Sequence, residues 1–170
     1  MSLEKVAAAV ANNRSLWVEL ECPDVIVPLP ISAVQPVVDP RHCTILFLGK
    51  GFVFGDRLLD VCRSLARQSS PFSSRVSGVA RFRGNEREGD PVVLLLSAPV
   101  IRGMAQYLEI HLDRGGVKDW DYTPHVTLGR IPRDKQLALD VCPISKIDFK
   151  SIAICAGEDR LSLDLTGGSK

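Results

Sequence analysis

Residues 41–49 read RHCTILFLG, and residues 121–130 read DYTPHVTLGR. Each stretch holds His, any residue, Thr and an apolar residue, and each runs on to Leu-Gly. The chain has 3 histidines, and two of them, His42 and His125, stand in this same tripeptide. Side chains two apart on a strand point to the same face. His42 therefore projects with Thr44, and His125 with Thr127, while Cys43 and Val126 point the other way. By shuffling, two such tripeptides among so few histidines arise on the order of once in 500 sequences. A lone H-x-T would carry no meaning; the pair asks for a chemical reason.

Two such strands lying side by side would bring two imidazoles and two hydroxyls into one cleft. That set suits a phosphodiester. One neutral imidazole takes a proton from water or a ribose hydroxyl, and the opposite imidazolium protonates the leaving oxygen. An ordinary histidine, titrating near pH 6.5, supplies both states around neutrality. Threonine hydroxyls can donate to the non-bridging oxygens as charge builds on them. The bland alternative is a pair of structural histidines on half-buried strands.

On either side of the motifs, the segments alternate between strand and helix patterns. LWVELEC (16–22) and HCTILFLG (42–49) are rich in β-branched and aromatic residues and read as strands. The proline-rich 23–40 between them forbids a helix. DRLLDVCRSLARQ (56–68) carries Leu58, Val61, Cys62 and Leu65 at helical spacing, with Asp56 as the expected N-cap. Strands are expected at 72–82 and 91–98, and then a helix from Pro99 to about 113. The second motif, 124–130, is strand-like. After it come a short helical turn at 133–139 and two strands, near 145–155 and 160–166. An amphipathic start (Leu3, Val6, Val10) precedes everything. The class is α+β with mostly antiparallel strands, in one domain spanning 1–170.

Composition excludes several functions. With 21 Lys+Arg against 20 Asp+Glu, the net charge is +1, which argues against a protein that holds long nucleic acid through bulk electrostatics. The 5 cysteines are odd in number and lack C-x-x-C spacing, so neither a disulfide framework nor a zinc ribbon is expected. A reducing, cytoplasmic setting is the simplest expectation. No window approaches the roughly 20 apolar residues of a membrane span. A monomer without cofactor or metal is expected.

HCTILFLG and PHVTLGR resemble the two signatures of the 2H phosphoesterases, the group that includes bacterial 2'-5' RNA ligase-like proteins and cyclic phosphodiesterases. SGVARF followed by PVVLLLSA is similar to the strand pair that the family carries between its motifs. The resemblance implies a bilobal, pseudo-twofold fold, with antiparallel sheets facing a central cleft, helices outside, and one H-x-T motif per lobe. It implies His42 and His125 as the acid–base pair and Thr44 and Thr127 as phosphate holders. It also implies metal-independent cleavage of 2',3'-cyclic phosphates, or of cyclic or 2'-5'-linked nucleotides, second messengers among them. An RNA-processing, ligase-like activity is the alternative within the family. A non-catalytic nucleotide-binding module, and a metallohydrolase using both histidines with Asp39 or Asp121, are alternatives outside it.

Among the neighbours, Tyr122 is a candidate to stack on a base and Arg130 to contact phosphate. Trp120 shares the first possibility with core packing. Simple alternation turns Arg41 and Arg130 away from the catalytic face, unless the strand ends or bulges. Arg75, Arg81, Arg83 and Arg87 form a basic stretch around Phe82, read as a sheet's solvent face or an oligonucleotide guide.

Overall fold

The computed structural model of the chain describes residues 3–22, 35–36, 41–50, 52, 55–84, 89–97, 99–113, 122–137 and 144–168. Among these residues, three helices, α1 (Leu3–Ala11), α2 (Asp56–Gln68) and α3 (Pro99–His111), accompany nine strands. The strands are β1 (Leu16–Glu21), β2 (Gln35–Pro36), β3 (His42–Gly49), β4 (Phe72–Arg81), β5 (Asp90–Ser97), β6 (His125–Ile131), β7 (Lys146–Phe149), β8 (Ser151–Ala156) and β9 (Asp159–Asp164). They form two antiparallel sheets, ordered β3-β1-β8-β9 and β2-β6-β5-β4-β7. The α+β expectation holds, with one H-x-T strand in each sheet.

The helices form where apolar residues recur every three or four positions. In α2, Leu58, Leu59, Cys62, Leu65 and Ala66 are buried; in α3, Ile101, Met104, Ala105 and Leu108 are. All of these but Ala105 join Leu46, Leu94, Val126, Phe149 and Ile154 from both sheets in one hydrophobic core. At roughly 1.5–3 kcal/mol for each fully buried large apolar side chain, this shared core is what holds the two lobes together. No helix among the described residues is long and apolar enough to cross a membrane.

Three expectations need correction. Asp56 is the first helical residue and Gly55 the N-cap, extended at φ −149° and ψ 176°, with no side-chain cap bond. The expected strand at 145–155 is two strands parted at Lys150. There the chain leaves one sheet, where β7 pairs with β4, and enters the other, where β8 pairs with β1. Over the described residues 133–137 the chain makes a turn, closed by the Lys135 N–H donating to the Pro132 carbonyl oxygen at 3.1 Å, rather than a helical turn, and Arg133 is drawn into a side-chain network. Its Nε lies 3.3 Å from Asp90 Oδ1. Of the proline-rich 23–40, only the backbone of β2 is described.

Candidate active site

The motif strands β3 and β6 belong to different sheets yet run against each other. Each is flanked by a partner in matching register. On β1, Glu21 faces His42, Glu19 faces Thr44 and Trp17 faces Phe47. On β5, Leu95 faces His125, Val93 faces Thr127 and Pro91 faces Arg130. The cores behind them alternate as expected: Cys43 and Val126 are fully buried, while His42, Thr44, His125 and Thr127 are half-buried toward the cleft.

Both strands carry an irregularity at the same place. The register of β1 against β3 shifts between Val18 and Glu19, and that of β5 against β6 between Val92 and Val93. The extra residues are Ile45 and Leu128, both buried. A bulge inserts one residue and flips the parity of the residues beyond it. Arg130, which simple alternation turned away, therefore lies on the face of His125 and Thr127. Phe47 joins His42 and Thr44 in the same way, and it is 53% exposed. The pseudo-twofold thus relates Phe47 to Arg130, a pair that alternation alone conceals.

The lobes are pinned next to the histidines. The Tyr122 hydroxyl donates to the Thr44 carbonyl oxygen at 2.8 Å and lies 3.6 Å from Cys43 Sγ. The side chain packs on the core, and burial pushes its phenol pKa up. Its polar tip is thereby committed to holding β6's approach to β3. Burial pushes the Cys43 thiol to about 11 and the Cys22 thiol to about 12, so both are neutral.

His125 donates from Nδ1 to the Thr123 carbonyl oxygen at 2.8 Å. A carbonyl only accepts, which leaves Nε2 as the basic nitrogen. Phe82 meets the imidazole edge-on, with ring centroids 4.8 Å apart. Burial, and to a lesser extent the nearby charge of His42, hold the His125 pKa below 6.5 against the opposing hydrogen bond to Thr123. Beside it, a depression of about 450 Å³ is bordered by Leu95, Pro124, Ser77, Ser97 and Arg102.

His42 has a different neighbour, which the sequence did not reveal. Its Nδ1 lies 3.5 Å from Oε2 of Glu19, a carboxylate with no exposed surface. Trp17 Nε1 donates to that same Oε2 at 2.6 Å, and Arg160 Nη2 stands 2.7 Å from Oε1.

Of the basic stretch, Arg81 is bound into sheet-edge structure. It pairs with Asp90 at 2.7 Å and donates to the carbonyl oxygens of Lys135 and Arg133. Arg130 donates from Nη1 to the Gly89 carbonyl oxygen at 3.4 Å. No group of three or more His, Cys, Asp or Glu among the described residues is arranged to hold a metal. Arg87, Asp39, Trp120 and Asp121 lie outside the described residues.

Two antiparallel sheets accompanied by α1, α2 and α3 match the LigT-like α+β fold, and similar solved structures bear this out. Thermus thermophilus TT0787 is 22% identical with a TM-score of 0.59, covering 90% of this chain and 98% of that one. Escherichia coli LigT is 17% identical at 0.55, covering 90% and 95%. Kluyveromyces marxianus Usb1 is 13% identical at 0.61, covering 90% and 99%. No protein-family model and no curated protein matches the sequence. The resemblance carried by two short motifs thus extends, at the level of the fold, over nine-tenths of the chain.

Proposed function

We propose that this protein is a phosphodiesterase that opens 2',3'-cyclic phosphates, or cleaves cyclic or 2'-5'-linked nucleotides, by acid–base catalysis between His42 and His125. One observation carries the reading: the His-x-Thr residues of β3 and of β6 are half-buried on strands that run against each other. Thr44 and Thr127 then hold the non-bridging oxygens, and Arg130, on the same face, adds a charge for the phosphate. Phe47 offers an exposed ring to a base. The fold is that of E. coli LigT, which has been crystallised with phosphate and with 3'-AMP.

The test is hydrolysis of 2',3'-cyclic mononucleotides, cyclic dinucleotides and 2'-5' oligoadenylate in the presence of EDTA. Turnover that survives EDTA, and falls by roughly 10²–10⁴ in both His42→Ala and His125→Ala, is expected. Because His125 titrates below 6.5, its base form persists to lower pH, and the acid limb of kcat/KM lies below pH 6.5. Turnover abolished by EDTA, or retained in either variant, would refute the two-histidine reading.

A further inference from the structure

The two histidines sit alike on their strands but are backed differently. Register equates Glu21 with Leu95, Glu19 with Val93, and Trp17 with Pro91. Behind His125 the partner strand is apolar; behind His42 it carries two carboxylates. The pseudo-twofold symmetry is broken at the strand that supports the chemistry.

A fully buried carboxylate is costly unless its partners are well placed. One explanation of Glu19 is that it exists only to pair with Arg160. The geometry asks for more. The oxygen facing His42 is the one fixed by Trp17, so the carboxylate is held in place and aimed at the imidazole. Arg160, on β9, is itself shared with Glu21, whose oxygens accept from Ser151 and Ser162 at 2.7 and 2.9 Å. Glu19 lies 3.5 Å from His42 Nδ1, and Glu21 is the register partner of His42 on β1. Arg160 from β9 pairs with both carboxylates, and His125 from β6 is near enough to feel the charge of His42. The thiols of Cys22, Cys43 and Cys155 are held neutral by burial.

We propose that Glu19 is a positioning residue that keeps the His42 Nδ1–H directed at its carboxylate and Nε2 directed into the cleft, making His42 the proton donor and His125 the proton acceptor. The assignment of proton roles rests on the phosphodiesterase reading; the orientation of His42 does not. Burial holds the His125 pKa below 6.5, so that ring stands neutral with Nε2 able to accept, whereas the Glu19 carboxylate places a counter-charge 3.5 Å from Nδ1 of the other ring, His42. In the forward step, the water oxygen bonds to phosphorus as its proton passes to Nε2 of His125. The bond from phosphorus to the ribose oxygen breaks, its electron pair stays on that oxygen, and the proton on Nε2 of His42 goes to it. Solvent then takes one proton from His125 and returns one to His42.

Two measurements test this. The first uses the unaltered protein: ¹⁵N spectra of the imidazoles above pH 8 should show neutral His42 as the Nδ1–H tautomer. An Nε2–H tautomer, or an even mixture, overturns the positioning role. The second compares Glu19→Gln with wild type on 2',3'-cyclic AMP, whose alkoxide must be protonated to leave, and on bis(p-nitrophenyl) phosphate, whose p-nitrophenolate need not be. General-acid protonation contributes roughly 10²–10⁴-fold, so kcat on the cyclic nucleotide should drop at least ~10-fold while the activated ester changes by less than ~3-fold. Equal losses on both esters, or none on either, overturn the assignment of His42 as donor. Wild-type protein that hydrolyses neither ester, nor cyclic dinucleotides, nor 2'-5' oligoadenylate overturns the phosphodiesterase reading together with that assignment, and leaves the tautomer measurement to decide the role of Glu19. Should Glu19→Gln fail to fold, Trp17→Phe, which removes the donor fixing Oε2, takes its place with the same outcomes.

Discussion

Phe47 shows at the scale of one residue what a period-2 reading captures and what it misses. Five positions after His42, it belongs by alternation to the core face, yet it is 53% exposed on the cleft side because Ile45 is an extra residue in the strand. If it stacks on a base, the contact contributes roughly 1–3 kcal/mol. Phe47→Ala should then raise KM for a nucleotide about 5- to 150-fold, with kcat nearly unchanged. Steady-state kinetics on 2',3'-cyclic AMP would check it, and a lost kcat with unchanged KM would remove Phe47 from substrate binding. The motif histidines and threonines were legible because residues two apart share a face whatever lies around them. Glu19 was not, since only the register of β1 against β3 makes it a neighbour of His42. Tyr122 was chosen as an aromatic near a motif; its hydroxyl, which reaches across to Thr44, depends on how the strands of the two sheets approach.

Among the elements, strand existence was read more surely than strand ends, because apolar patterning marks a buried face but not where pairing changes partner. β7 and β8 form one continuous pattern in sequence and separate only because different sheets claim them. The mouth of sheet β2-β6-β5-β4-β7 is closed by a polar clamp that alternation could not locate. Asp90 accepts from the Gly84 backbone N–H at 3.0 Å and pairs with Arg81 and Arg133. Gly89 enters the clamp at φ +78°, where a Cβ would come within 2.6 Å of the Ile131 carbonyl oxygen. The Gly84 hydrogen bond, with the two arginines, holds the Asp90 carboxyl below its usual 3.8. A depressed folded-state pKa stabilises above the unfolded value and ceases to do so as pH falls through the folded one. Asp90→Asn should therefore unfold more readily than wild type at pH 7, with the gap narrowing below pH 3.8. Urea midpoints at both pH values would show it; a gap that widens in acid would contradict the clamp.

The whole molecule is laced so that neither lobe is complete without distant parts of the chain. The sheet bearing His42 takes β1 and β3 from the first 49 residues and β8 and β9 from beyond residue 150. β1 lies between β3 and β8, so its backbone groups are satisfied only when the C-terminal strands are present. The other sheet takes β2 from before β3 and its remaining strands from the middle of the chain, and α3, which comes after β5, packs against β3 of the first sheet. One hydrophobic core runs through all three helices and both sheets. Two lobes in form thus share one main core, beside the smaller cluster of Val92 and Ile131, and are expected to unfold together. Urea unfolding of a Trp120→Phe variant, in which Trp17 is the one remaining tryptophan, followed by fluorescence and by far-UV circular dichroism should give coincident curves, although Trp17 lies in one lobe and the ellipticity reports both. A chain ending at Lys150 should lose structure in both sheets, since removing β8 and β9 leaves Ile152, Ile154 and Leu165 missing from the shared core. Two separated transitions, or a truncated chain that keeps the spectrum of the β4–β7 sheet, would mean that the lobes fold on their own and that the cleft between them is a joint rather than a seam.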